Sequence, residues 1–208
     1  MARYASEKLK ATRRDEIINA CEKLYQTLSF KEITMKEIGA ETSFTRQSIY
    51  NYFQTKEEIF LALFAREYDK WTADLSEMYE QNSVLSSVEF ADKLSRTIEK
   101  RGLLLKLLSM NMYDMEENSR EDALAEFKKS YGNSIKAVAK CLDRLAMPIS
   151  DKEKQDFLYS FFPFMYGIYP YTSVTDKQKS AMEKAQVGFI YHTVYELSFE
   201  TIKKILNR

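Results

Sequence analysis

Side chains that ordinarily carry catalysis are thinly spread in this sequence. His192 is the only histidine, and Cys21 and Cys141 are the only cysteines. One histidine supplies neither a His-His nor a Cys-His metal set, and it leaves no Ser-His-Asp arrangement to assemble. Set among apolar residues near the C-terminus, His192 suits a buried, hydrogen-bonded or interfacial role. The carboxylate pairs Glu57-Glu58 and Glu116-Glu117 fall at a predicted helix start and in a charged loop, where capping and solvation account for them. Neither Gly-x-Gly-x-x-Gly nor Gly-x-x-x-x-Gly-Lys occurs, so the glycines that cradle a phosphate are missing. We therefore expect no enzyme activity, no cofactor and no metal. Charge placement offers a different chemistry. Lys plus Arg is 31 and Asp plus Glu is 31, which excludes a global basic coat. Yet Arg3, Lys8, Lys10, Arg13 and Arg14 are opposed within the first fourteen residues only by Glu7. Alone, such an arm is a solvated helix start; beside a module that reads nucleic acid, it meets phosphates.

What must position those residues is helical. The chain is 208 residues long, room for one or two domains, with 5 glycines and 3 prolines. Pro148, Pro163 and Pro170 all lie in the last third, so the strongest helix breaker is absent before them. An all-α chain of about nine helices follows. The N-terminus has no apolar signal region, and the uncharged stretch from Phe157 to Tyr171 is too short and too rich in proline for a span of about 20 residues. A soluble, cytoplasmic protein without a membrane partner is expected.

Ile17, Cys21, Leu24 and Leu28 recur at helical spacing and predict a first helix from Thr12 to near Ser29. Thr34 and Glu37 form a capping box that opens a short second helix. After Thr42 and Ser43, Thr45 caps a third helix running to about Tyr52. Two short helices joined by a tight turn make a helix-turn-helix. Thr55 and Glu58 suggest a further box, opening a linking helix to about residue 81. Bundle helices are expected over 87–99, 102–112 and 120–145, then over 151–162, disturbed at Pro163 and ended near Pro170. A third box, Thr175 to Gln178, opens a last helix running to Leu206. Val187, Ile190, Val194 and Leu197 fall on one side of it, with His192, Tyr195, Phe199, Ile202 and Leu206 nearly opposite. One core cannot bury both sides, so one of them meets a second subunit.

The segment Ile38 to Phe53, followed by Gln54 to Phe60, resembles the DNA-binding domain of the tetracycline-repressor family of bacterial regulators. The resemblance rests on Ile38-Gly39, the turn, Thr45 opening the recognition helix, Ile49-Tyr50, Tyr52-Phe53, and Lys56 to Ile59. It covers about residues 10 to 65. Ser43 stands where the family usually has a turn glycine, Phe44 where it has a small aliphatic, and Gln47 where a small residue is frequent. Ser43 would then occupy the left-handed region at moderate cost. The resemblance implies a domain over 1–55 that reads a palindromic operator. It also implies a domain over 56–208, linked by the helix 56–81, that dimerises and senses a small-molecule effector.

On that plan Arg46, Gln47 and Ser48 face base edges, Arg suiting guanine and Gln adenine. Thr34, Thr45, Tyr50, Tyr52 and Lys56 face phosphates, and Asn51 serves either role. Tyr50 and Tyr52 could equally pack the small core, where Ile49 and Phe53 belong. The effector pocket draws on Met and aromatic residues, with Trp71, Met110, Tyr113, Phe127 and Tyr131 from the middle of the chain. Phe161, Met165, Tyr166 and Tyr169 complete it. For each, plain core packing is the alternative. The subunit interface draws on Phe157, Phe161, Val187, Ile190, Val194, Leu197 and Phe199, as a four-helix contact about a two-fold axis. Function is then ligand-relieved repression by a homodimer. The rivals are a DNA-organising or protein-recruiting dimer without ligand response, and a helical enzyme or carrier.

Overall fold

The computed structural model describes residues 2–110 and 112–206, with side chains from Glu7 onward. Met1 and the Arg3 side chain of the basic arm lie outside the described residues. Eleven helices and no strand occur among those described: α1 (Ala2–Tyr25), α2 (Met35–Ala40), α3 (Arg46–Ile49), α4 (Lys56–Glu80), α5 (Ser87–Glu99), α6 (Gly102–Leu108), α7 (Met112–Glu117), α8 (Glu121–Leu142), α9 (Asp151–Thr172), α10 (Asp176–Lys184) and α11 (Val194–Leu206). None is long and apolar enough to cross a membrane.

The chain folds into two compact units, one of residues 1–66 with 111–130, the other of residues 67–110 with 131–208. The boundary therefore lies inside α4 rather than at 55/56, and α8 too supplies residues to both units.

In the first unit, Ile17, Cys21, Ile38, Ile49 and Phe60 are fully buried. Tyr25 and Phe30 meet Phe60 edge-on at 5.1 and 4.9 Å, and Phe64 lies 4.9 Å from Phe127 of α8. Burial pushes the Cys21 thiol up to about 12, so it is a small core hydrophobe and not a nucleophile. In the second unit, Trp71 is fully buried, and its indole N–H donates to the Thr97 hydroxyl at 2.9 Å. Aromatic rings continue from it through Phe161 at 6.4 Å to Phe157 at 5.4 Å and Phe90 at 6.1 Å. The turn before α5 is tied to the turn after α8 by Leu85 and Arg144, at 2.7 Å.

The helix starts follow their caps. Thr34 accepts from the amides of Lys36 and Glu37, and full capping boxes open α5 at Ser86, α9 at Ser150 and α10 at Thr175. Three expectations need correction. First, the last helix is two helices. α10 ends at Lys184, Gln186 takes a φ of 56°, and residues 187–193 are not helical. Thr193 and Glu196 then exchange hydrogen bonds of 2.8 and 3.1 Å, which restart the chain as α11. Val187 and Ile190 thus sit exposed on a non-helical segment, and His192 is exposed beside Glu196 rather than buried. Second, α9 runs through both Pro163 and Pro170. Packing of Phe161, Phe162, Met165 and Ile168, all buried, offsets the lost backbone bonds. Third, Phe157 and Phe161 are 2% and 0% exposed within their own subunit, so they are core and not subunit contact.

Candidate nucleic-acid interface

Gly39 sets the approach of the two short helices. A Cβ there would lie 3.2 Å from the Arg46 Cβ and 3.3 Å from its Cα, so a side chain would press α2 and α3 apart by a few tenths of an ångström. The turn between them is held by side chains. The Thr42 hydroxyl donates to the Gly39 carbonyl at 3.0 Å, and the Ser43 amide donates to the Glu16 carboxylate of α1. Those Ser43 hydrogen bonds hold the Glu16 carboxyl below the usual carboxylate range. Ser43 does not adopt the left-handed conformation expected of it; among the described residues, Gln186 is the only non-glycine with positive φ. Glu16 takes over by bonding what a glycine would have supplied by geometry.

α3 leaves Thr45, Arg46, Gln47, Tyr50 and Asn51 exposed, with Ser48 half-buried and Ile49 sealed beneath. The Thr45 hydroxyl lies 3.1 Å from that of Ser48 and makes no bond to the helix backbone. The Arg46 guanidinium donates to the Tyr50 hydroxyl at 3.2 Å, one turn on, so the phenol aims the cation. Tyr52 is half-buried, 6.4 Å from Phe44, and Phe53 is 3% exposed. The packing alternative thus fits Phe53, while Tyr50 keeps an open hydroxyl face. From the basic arm, Arg13 sits 5.7 Å over Phe44 and Arg14 5.3 Å over Phe53, and Arg14 also pairs with Glu126 at 2.8 Å.

Lys56 has structural partners first. Its ammonium donates to the carbonyls of Phe30 at 2.8 Å and Ile33 at 3.0 Å and lies 4.1 Å over the Phe30 ring. It braces the segment ahead of α2, so most of its hydrogen-bonding capacity is spent before any phosphate arrives. Glu58 likewise is more than a capping residue. Its side chain is fully buried and takes a two-pronged bond from Arg120, at 2.7 and 2.9 Å, plus the amides of Gln54 at 2.8 Å and Arg120 at 3.1 Å. Burial pushes this carboxyl up, but the Arg120 and amide bonds outweigh it and hold the group below its ordinary value. Sequence reasoning missed Glu16 and took Glu58 for a cap only, since their partners lie 27 and 62 residues away and leave no local pattern.

The second unit carries one wide apolar groove of about 620 Å³ between α8 and α9. Tyr131 and Ile135 line it from α8, and Gln155, Leu158, Tyr159, Phe162, Pro163 and Tyr166 from α9. Of the expected pocket residues, Tyr131 and Tyr166 are there. Trp71, Phe161 and Met165 are sealed in the core behind it, and Met110 and Tyr169 are half-buried away from its lining. Tyr113 is 84% exposed and Phe127 buried, both in the first unit. A stripe of large residues cannot reveal which side chains face a void and which fill it. Behind the groove, burial pushes the Tyr68 phenol well above its ordinary value, with the neighbouring Tyr166 and Tyr131 contributing. Among the described residues no cluster of three His, Cys, Asp or Glu ligands forms.

Comparison with known proteins agrees with this layout. A model of the bacterial regulatory proteins of the tetR family matches residues 17–63, and one of the tetracyclin repressor-like C-terminal domain matches residues 65–195. The HTH-type transcriptional regulator YfiR of Bacillus subtilis is 28% identical over 96 residues, 46% of this chain and 47% of that protein. The HTH-type dhaKLM operon transcriptional activator DhaS of Lactococcus lactis is 30% identical over 78 residues, 37% of this chain and 42% of that protein. The chain thus matches less than half the length of either relative. In fold it resembles a TetR-family regulator from Mesorhizobium loti, with TM-score 0.63 and 14% identity over 94% of this chain and 96% of that one. It also resembles the Bacillus subtilis regulator FadR solved with stearoyl-CoA, with TM-score 0.53 and 14% identity over 92% and 97%.

Proposed function

From the premise that the chain belongs to the tetracycline-repressor family and is a DNA-binding transcriptional regulator, we propose that it is a homodimeric repressor of a palindromic operator, released by a small apolar or aromatic molecule. The observation that carries the DNA half is the exposed Arg46-Gln47 pair, presented on a helix that Gly39 allows to sit tightly on its neighbour. Arg46, steadied by Tyr50, reads guanine; Gln47 reads adenine, with Ser48 and Asn51 beside them. Thr34, Thr45, Tyr50 and Tyr52 contact phosphates, while Lys56 acts chiefly by holding the segment ahead of α2.

The subunit contact is proposed on α11, where Val194, Leu197 and Phe199 stay half-exposed, together with the exposed Val187 and Ile190 ahead of it. Leu197→Glu should place an unpaired charge in that contact and shift the chain toward monomer in sedimentation. A sedimentation profile like that of the unaltered chain would remove α11 from the interface. The ligand is proposed to occupy the α8–α9 groove. By binding better to the state with mis-spaced recognition helices, it lowers operator affinity by its differential binding energy. Because α8 provides Phe127 to one unit and Tyr131 and Ile135 to the groove of the other, it joins α4 as a route for that coupling.

Selection of duplexes from random DNA, followed by anisotropy titration, tests the reading. A pseudo-palindrome should emerge whose affinity falls steeply with salt. Arg46→Ala should relax preference at one base position per half-site by about 1–3 kcal/mol. Equal weakening on selected and random DNA would make Arg46 a phosphate contact. Reporter expression that falls when the gene is deleted would make the protein an activator.

A further inference from the structure

None of the eight residues lining the α8–α9 groove carries a formal charge at neutral pH. A charged ligand would find no counter-ion among them, so the lining favours a neutral one. Polar groups are nevertheless present, the Gln155 amide and the Tyr131, Tyr159 and Tyr166 phenols. The Tyr131 and Tyr166 rings line the space, and Tyr68, fully buried behind them, meets the Tyr131 ring edge-on at 5.5 Å. Pro163, also in the lining, has no N–H to give the Tyr159 carbonyl four residues back. Phe162 stands edge-on to Tyr131 at 5.6 Å and supplies an aromatic wall. A volume of about 620 Å³ suits a molecule of several fused rings.

We propose that the groove takes an uncharged polycyclic aromatic compound bearing a hydroxyl group, which lies against Phe162 and exchanges hydrogen bonds with the Tyr131 and Tyr166 phenols. The assignment rests on the ligand-responsive reading and narrows it to neutral hydroxylated arenes. It excludes organic anions of the same ring size.

The full chain is titrated at pH 7 with 1-hydroxypyrene, pyrene and pyrene-1-sulfonate. Trp71 is the only tryptophan and lies 6.0 Å from the Phe162 ring, so quenching of its emission with energy transfer to the probe reports binding, and the groove variants below locate it. 1-Hydroxypyrene should bind saturably, about tenfold tighter than pyrene and tighter still than the sulfonate. Tyr166→Phe and Tyr131→Phe, which keep the ring and the packing, should each erase most of the preference for hydroxypyrene over pyrene. Equal or tighter binding of the sulfonate overturns the proposal, as does a hydroxyl preference that survives both variants. Failure of every probe to bind also overturns it, and protection of residues 155–166 from amide exchange in the dimer would then identify a second copy of the chain as the occupant. Operator anisotropy run in parallel separates the two claims. Hydroxypyrene that binds as expected without releasing DNA defeats ligand-relieved repression and leaves the ligand class standing. A sulfonate that binds best and releases DNA does the reverse.

Discussion

Arg120→Ala is expected to destabilise the fold, because it strands the charge of a buried carboxylate. The Arg120 side chain is itself half-exposed, whereas the Glu58 side chain is fully buried. Without the guanidinium, Glu58 keeps only the Gln54 and Arg120 amides as donors and remains a carboxylate sealed from water. Urea denaturation measures the loss, and amide exchange over residues 54–66 locates it. Arg120→Lys should recover only part, since an ammonium cannot reproduce the fork that meets both carboxylate oxygens. The pH dependence has a definite sign. Glu58 titrates below its ordinary value of 4.5 in the folded chain, so the pair's contribution is complete above about that pH and fades as pH falls through the folded value. The gap between the unaltered chain and Arg120→Ala should therefore be full at pH 7 and narrow in acid. A gap that is constant with pH would mean that Arg120 acts by packing alone.

Gly39→Val is expected to cost a further sort of stability, about 3 kcal/mol of overpacking, and to abolish sequence-specific DNA binding. Even a bare Cβ would press on the Arg46 Cα, which is backbone and cannot swing aside. The branched side chain must push α3 outward, and with it Arg46 and Gln47. Gly39→Ala should show the same direction at smaller size, as the helices give by a few tenths of an ångström. Anisotropy on the selected operator and thermal unfolding together check this. Operator affinity unchanged in Gly39→Val would show that α3 docks on DNA independently of its seat on α2.

The sequence was legible where the physics is local. Thr34 and Thr175 cap helices because their acceptors and donors lie within four residues, and Ile17 and Cys21 mark a buried stripe because helical spacing repeats. The exposed reading face of α3 follows from the same spacing and from the family pattern. What was not legible depends on distance along the chain. Nothing near Ser43 announces Glu16, and nothing near Glu58 announces Arg120. The apolar rhythm of Val187, Ile190 and Val194 continues across a break that the Gln186 conformation and the Thr193 cap impose. Phe157 and Phe161 have the hydrophobicity of an interface and the burial of a core, and only the fold distinguishes the two.

The membership of residues 111–130 in the DNA-binding unit bears on how such proteins can exchange parts. A fusion that grafted only residues 1–66 onto a foreign sensor would carry the Glu58 carboxylate without Arg120, Arg14 without Glu126 and the Phe64 ring without Phe127. The reading head is thus not a detachable cassette, although its sequence motif ends before residue 66. Recombination that swaps the second unit alone has to cut three times, near 66, near 110 and near 130, or the incoming segment must supply its own arginine, glutamate and aromatic at matching places. Substitution at the start of α8 is correspondingly constrained by the first unit, whereas beyond residue 130 the same helix answers to the packing of the second.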